Sequence, residues 1–379
     1  MIYGLMLVLI CLVFLELYFS YVVFTQKRGK SWYAFLRNAV YRFDPVSGYF
    51  YTASNTIKDP MPPTDNAPRS HPFINFRTNK EGFVGAENIE DLVTDYKTIF
   101  CIGGSTTACS DCDYDKTYPA ILDSLTRSHG YAVINAGING YRSIQELICL
   151  KTRIVKYNPK MVILFSGYND FQFKIYIDQD INNQFINFFK LPDSRLEWVL
   201  NYSGLYNTFR QFLIENNLMN AKKTWQISDA EVIKRMNDAI DHPDDWFLPW
   251  RANVKKLGDV CRENNIKLVL LSHPSPVFDS ATSEEKQFAE IDIGIKGRFD
   301  CFVRYINFIN EKTRELCVAE SYVYVDITED LDSYCRRFHD GALGYAKARF
   351  GLFVDRMHFS EDGSLFVANV VFNKIKGLL

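Results

Sequence analysis

From about Asp95 onward the chain repeats one rhythm: a short run of apolar, β-branched residues, then a longer stretch with helical spacing. The runs are Thr98–Gly103, Ala132–Asn135, Met161–Phe165, Leu268–Ser272 and Tyr322–Asp326. Each is short and strongly apolar, as expected of parallel strands buried on both faces. Helical spacing falls on Tyr118–Ser128, Ile144–Lys156, Arg251–Asn264, Asp300–Ala319 and Ser364–Lys376. Five strands with intervening helices predict an α/β fold: a three-layer α/β/α, doubly wound parallel five-stranded sheet with right-handed crossovers. Such sheets bind ligands at the carboxyl ends of their strands, so the residues just after each run matter most.

Outside that rhythm lie three segments. Ile2 to Phe24 is almost unbroken apolar sequence, interrupted chiefly by Glu16, Ser20 and tyrosines. About 20 helical residues at 1.5 Å each span a hydrocarbon core of roughly 30 Å, so 1–24 is expected to be a single transmembrane anchor. It lacks the basic start and the small-residue end of a signal peptide. Residues 25–94 read as a connecting and packing segment, with Pro60, Pro62, Pro63 and Pro68 in a polar, extended loop. Residues 95–379 carry the sheet domain. Within it, 174–244 is rich in Phe, Tyr, Trp, Asn and Asp and is expected to be a helical insertion that caps the cleft.

A net charge of −2 gives no electrostatic reason to expect a nucleic-acid partner. Nine cysteines show no disulfide-scaffold spacing, and the lone pair Cys109 and Cys112 has no second pair or histidine cluster to make a metal site. Asp111, Asp113 and Asp115 alternate like part of a calcium loop, but the glycine and distal glutamate are missing, so a solvated loop is expected. His71, His129, His242, His273 and His339 lack partners at metal spacing, and most read as surface or loop residues.

Four motifs stand where strands end or the last helix begins. Gly103-Gly104-Ser105-Thr106-Thr107 offers a sharp turn and a serine at a helix N-terminus, which is a nucleophile or an ordinary cap. Asn135-Ala136-Gly137-Ile138-Asn139-Gly140-Tyr141-Arg142-Ser143 is a turn into a helix capped by Ser143, or a source of a glycine amide beside Ser105. Gly167-Tyr168-Asn169-Asp170 caps the chain or aims a side-chain amide into the cleft. Asp355-Arg356-Met357-His358 places a carboxylate three residues before an imidazole, the spacing at which the acid can hold one ring nitrogen while the other faces a serine.

Together, in this order, the four resemble the SGNH (GDSL-like) hydrolases, whose blocks centre on Ser, Gly, Asn and His. Ser105 matches the nucleophile, Gly140 the block II glycine with Gly137 as the alternative, Asn169 the block III asparagine, and Asp355 with His358 the final dyad. The resemblance covers about 95–379, and Arg77-Thr78-Asn79-Lys80-Glu81-Gly82-Phe83 is similar to the lead-in of a bacterial branch. The usual Gly-Asp-Ser is Gly-Gly-Ser here, a departure that bears on subfamily.

The resemblance implies an SGNH or flavodoxin-like sheet and a serine esterase. Its triad would be Ser105, His358 and Asp355, its oxyanion hole Ser105, Gly140 and Asn169, and it would need no metal or organic cofactor. The implied substrate is an O-acyl ester, acetyl included, on a glycan. An O-acyltransferase with the same triad and a non-catalytic glycan-binding scaffold are the alternatives. Lys27, Arg28 and Lys30 after the apolar span place the main domain in the cytoplasm, whereas exported-glycan substrates place it outside. The membrane side stays open, as does the oligomeric state.

Overall fold

The computed structural model describes residues 2–26, 40–59, 74–177, 180–186, 194–200, 203–216, 218, 227–292, 298–337 and 343–379. The proline-rich loop, Lys27, Arg28, Lys30, His71 and His339 lie outside them. The chain divides into two compact units, Met1–Thr52 with Gln184–Gln226, and Ala53–Asn183 with Ile227–Leu379. The expected connecting segment and the expected insertion are therefore each shared between both units.

The first unit contains helix α1 (Ile2–Gln26) and an antiparallel hairpin of β1 (Tyr41–Asp44) and β2 (Gly48–Tyr51). Asp44 makes the hairpin turn: its Oδ1 accepts from the amides of Val46 at 3.0 Å and Ser47 at 2.7 Å. α1 packs along a helix at Gly204–Glu215. Glu16, the charged break in the apolar run, accepts from Ser203 Oγ at 2.6 Å and from the Leu205 amide at 3.2 Å. Phe14, Leu17, Tyr18 and Tyr21 face outward. Among the described residues no helix is both long and apolar enough to cross a membrane. The expected anchor thus stands on the sequence of 1–24 alone.

The second unit opens with a hairpin of β3 (Thr56–Asp59) and β4 (Ile74–Arg77), followed by the lead-in motif. Asn79 makes a tight turn there, its Oδ1 accepting from the amides of Glu81 and Phe83, with Gly82 at φ +86. Phe83 is thereby buried against Phe100, their ring centroids 6.1 Å apart, and Val84 bridges to Asn135 at the sheet edge.

The sheet consists of β5 (Lys97–Gly103), β6 (Tyr131–Gly137), β7 (Met161–Phe165), β8 (Lys267–Leu271) and β9 (Val323–Val325). Its order is β6-β5-β7-β8-β9 and every neighbouring pair is parallel. β7 is buried at all five positions, which is why its sequence runs continuously apolar instead of alternating. On one face Ile99, Ile163, Phe165 and Val269 pack with Leu122 and Val371 of the helices Tyr118–Thr126 and Glu361–Ile375.

Seven helices of this unit position the site: α2 (Ser105–Ala108), α3 (Tyr118–Thr126), α4 (Ser143–Cys149), α5 (Tyr168–Ile177), α6 (Pro243–Glu263), α7 (Phe299–Glu320) and α8 (Glu361–Ile375). α4 is shorter than the helical spacing predicts, because the chain continues as a π turn over Leu150–Ile154 and a tight turn to Tyr157. α6 is longer. It begins at Pro243 and carries Pro249 inside it, the residue that hides its first half from a sequence reading.

Ser360 caps α8, its Oγ accepting from the Gly363 amide at 3.1 Å. Gly363 is the point of closest approach: a Cβ there would lie 1.9 Å from the Leu352 carbonyl oxygen, a backbone atom that cannot swing aside. Gly363→Ala should therefore destabilise the protein by about 1–3 kcal/mol, the scale of overpacking a filled interior. A denaturant midpoint equal to that of the unchanged chain would show that α8 can lift off the loop freely.

Candidate active site

β5 ends at Gly103, which pairs with Gly137 of β6 on one side and Phe165 of β7 on the other. The turn then delivers Ser105 as the first residue of α2, a single helical turn closed by Cys109 in the left-handed conformation at φ +48. The final motif comes back to it from the other end of the chain. Asp355 folds its own loop: Oδ1 accepts from the amides of Met357 at 2.7 Å and His358 at 2.8 Å. Its other oxygen, Oδ2, lies 2.7 Å from His358 Nδ1, and His358 Nε2 lies 2.7 Å from Ser105 Oγ. With a proton on Nδ1, the ring donates to Asp355 and accepts from the serine hydroxyl. A continuous hydrogen-bonded chain thus runs from serine through imidazole to carboxylate, with Ser105 and His358 253 positions apart in sequence.

The electrostatics follow from that chain. Burial alone would lower the His358 pKa, but the facing Asp355 charge and its hydrogen bond outweigh it, assisted by Asp111, and raise it to about 9. Burial would raise Asp355, yet His358 and the two backbone amides overrule it and hold the carboxyl well below the ordinary range.

Two further motifs close on the same point. Ile138, Asn139, Gly140 and Tyr141 form a turn, with the Tyr141 amide donating to Ile138 at 3.0 Å and Gly140 at φ +74. A positive φ at the third turn position calls for glycine. The Ile138 amide donates to the Gly103 carbonyl at 3.0 Å, fixing this turn beside the Ser105 loop. Gly137 is engaged differently: its amide donates to Asn135 Oδ1 at 3.1 Å, and a Cβ on it would lie 2.2 Å from the Ala108 nitrogen. Its work is close packing of α2 on β6, whereas Gly140 sits in the adjoining turn.

Asn169 lies in the first turn of α5, and its Nδ2 donates to the Tyr141 carbonyl at 2.8 Å. The same Nδ2 would be 2.2 Å from a Cβ at position 104. Gly104 is therefore required by this neighbour, which gives the Gly-Gly-Ser departure a physical reason.

Ser143 does not cap its helix as expected. Arg142 holds that place, its amide donating to Gln145 Oε1 at 3.2 Å. Ser143 instead donates from N at 2.9 Å and from Oγ at 2.5 Å to Asp170. Asp170 is buried and, with burial opposing its charge, is pushed up to about 6. Beneath it Glu146, also buried and raised, accepts from Ser166 Oγ.

Three residues that the sequence reading set aside sit differently in the structure. His273 lies in the loop after β8 but is buried: its ring is 4.5 Å from that of Phe165, Nε2 donates to the Ser166 carbonyl at 2.9 Å, and burial lowers it to about 4. Asp113 accepts from the Asn75 amide at 2.7 Å. Asp111 places Oδ2 3.9 Å from His358 Nδ1. No sequence signal marks Asp111 beyond its short distance from Ser105, since its counterpart lies near the other end of the chain. Cys109 and Cys112 are free thiols, and burial pushes Cys109 up to about 12.

The profile of the GDSL-like lipase/acylhydrolase family matches residues 101–364. No curated protein matches the chain. Among solved structures, the chain is similar to an acetyl xylan esterase, AlAXEase, at 16% identity over 73% of this chain and 99% of that one, with a TM-score of 0.39. It is also similar to Axe2, an acetylxylan esterase from Geobacillus stearothermophilus, at 12% identity over 74% and 94%, with a TM-score of 0.41. The values for TesA are 15% identity, 75% and 100%, and 0.39.

Gly104→Ala should push the Asn169 amide off the Tyr141 carbonyl while the sheet stays folded. A crystal structure of that variant with the 2.8 Å bond intact would show that the added methyl is absorbed elsewhere.

Proposed function

The chain belongs to the GDSL-like lipase/acylhydrolase family and is a hydrolase of ester bonds; we propose that it is a serine esterase working through Ser105, His358 and Asp355. The observation that carries this reading is the pair of 2.7 Å contacts linking the three side chains. His358 takes the Ser105 proton as Oγ attacks the ester carbonyl carbon. Asp355 holds the imidazolium that forms and fixes its tautomer. The amides of Ser105 and Gly140 and the Asn169 side chain stabilise the oxyanion. His358 then protonates the departing alcohol; a water molecule, deprotonated by the same ring, attacks the acyl carbon, and the ring returns that proton to Ser105 Oγ as the carboxylic acid leaves.

The proposed substrate is an O-acyl ester, with acetyl as the acyl group and a sugar hydroxyl as the alcohol. This part of the proposal rests on the family resemblance of the four motifs. Hydrolysis of p-nitrophenyl acetate tests the chemistry and release of acetate from acetylated oligosaccharides tests the alcohol. Ser105→Ala should abolish both, and a fluorophosphonate should label only the unchanged chain. Asn169→Ala should cost about 10²–10³ in turnover, the loss typical of one oxyanion donor. Full turnover in the Ser105 variant would end the serine mechanism.

We further propose that residues 1–24 tether the enzyme to a membrane. Support comes from the apolar run itself, and from Glu16, whose two hydrogen bonds reduce the cost of a carboxylate within it. The full chain should then sediment with membranes and resist alkaline carbonate, and removing residues 2–24 should release it. A full chain recovered in the soluble fraction would dispose of the tether.

A further inference from the structure

We propose that Asp111 is a second positioning carboxylate for His358, facing from the nucleophile's own loop the ring nitrogen that Asp355 holds from the other side of the sequence. The inference rests on the Ser105–His358–Asp355 reading and deepens it. Asp355 Oδ2 is 2.7 Å from Nδ1 and takes the hydrogen bond, whereas Asp111 Oδ2 at 3.9 Å is too far for one. What Asp111 contributes at that distance is negative charge. Its side chain is 19% exposed against 46% for Asp355, so it is the less solvated of the two carboxylates.

The loop around Asp111 is held in place from several directions. The Cys109 amide donates to Ser105 at 2.8 Å and the Cys112 amide to Cys109 at 3.0 Å, so the loop is an extension of the turn that presents the nucleophile. Asp113 is tied to the Asn75 amide, and Asn139 Nδ2 donates to Ser110 Oγ at 3.0 Å. On the far side the Cys112 thiol donates to the Phe359 carbonyl at 3.5 Å, one residue beyond His358. The residues on both sides of Asp111 are therefore tied to the segments that carry Ser105 and His358.

The charged groups that act on His358 are Asp355 and Arg356 from its own loop and Asp111 from the loop after α2; Ser105 faces it as a neutral partner. The two carboxylates favour the imidazolium and Arg356 opposes it. The signs then follow. A ring held charged to a higher pH cannot accept the Ser105 proton until that pH is passed. Hydrolysis in the unchanged enzyme should thus rise with pH through a limb above the ordinary histidine value of 6.5, toward about 9. Removing the Asp111 charge lowers the pKa of the ring and moves the limb down.

The test is the pH dependence of kcat/KM for p-nitrophenyl acetate in the full chain, beside the NMR titration of the His358 ring signals, assigned with His358→Ala. Asp111→Asn should move both the limb and the titration down by about one pH unit. Asp111→Glu, which retains the charge, should restore them. Asp355→Asn should instead cost about 10⁴-fold in turnover, as loss of an orienting aspartate does. A limb and a titration that both stay in place in Asp111→Asn would overturn the proposal, even if turnover fell. Because the titration needs no turnover, it also separates the two failures. A shifted titration in a chain whose His358→Ala variant keeps full activity would uphold the Asp111 contact and defeat the triad.

Discussion

The placement of Ser105 and Asn169 descends from the parallel pairing of β5 with β6 on one side and β7 on the other. Gly103 is opposite Gly137 and Phe165 at once, so the loops leaving the three strands must emerge side by side. The first strand in sequence occupies an inner position and the second lies outside it, which makes the gap between β5 and β7 the point where the winding reverses. Loops at such a point diverge above and below the sheet and leave a crevice between them. Ser105 enters that crevice from β5 and Asn169 from β7. The glycines at 103, 104 and 137 are what allow three loops to share so little space, since a Cβ at any of them would fall within 2.3 Å of a neighbouring atom.

Beneath the crevice is a second tier that holds the loops at a fixed height. Asn169 and Asp170 are consecutive, and both reach the 141–143 segment, one through the Tyr141 carbonyl and the other through Ser143. The β7 loop and the β6 loop are thereby tied by three hydrogen bonds within two residues. Asp170 and Glu146 are both buried, and each raises the cost of ionising the other. Buried carboxylates are tolerated where hydroxyls and amides satisfy them. Ser143, Ser166 and, through Ser166, the Trp250 indole at 3.3 Å supply those partners. Arg142 is buried alongside, donating to the carbonyls of Ile181 and Asn183 with its guanidinium 3.8 Å from the centre of the Phe173 ring. This polar tier fixes the turn that carries Gly140.

The parts of this organisation that were legible in the sequence share one property: the signal and its cause lie within a few residues. β7 is read to the residue because burial on both faces leaves five apolar positions between turns. Ser105, Asn169 and the Asp355–His358 pair are read because each stands just past such a run or opens the last helix. Where a local signal misleads, the element is misjudged. Pro249 conceals the first two turns of α6, because a proline inside a helix removes a hydrogen bond that packing against the body of the protein can replace. Ser143 has the appearance of a cap because serine caps are common, yet a buried Asp170 competes for both its donors.

Asp111 shows the limit of local reading in the other direction. Three aspartates in alternation look like a solvated loop, and their spacing carries no sign of a partner. The partner is His358, brought in by α8, whose approach depends on Gly363 lying against the Leu352 carbonyl. A contact of this kind is encoded by two packing constraints at opposite ends of the domain and by nothing at the position itself. The same reasoning explains why the resting histidine here has a high pKa. Burial alone would lower the pKa of the ring, but Asp355 and Asp111 face it with negative charge and raise it. The pH at which the ring loses its proton is thus set jointly by Asp355, Asp111 and the opposing Arg356, groups drawn from loops at both ends of the domain.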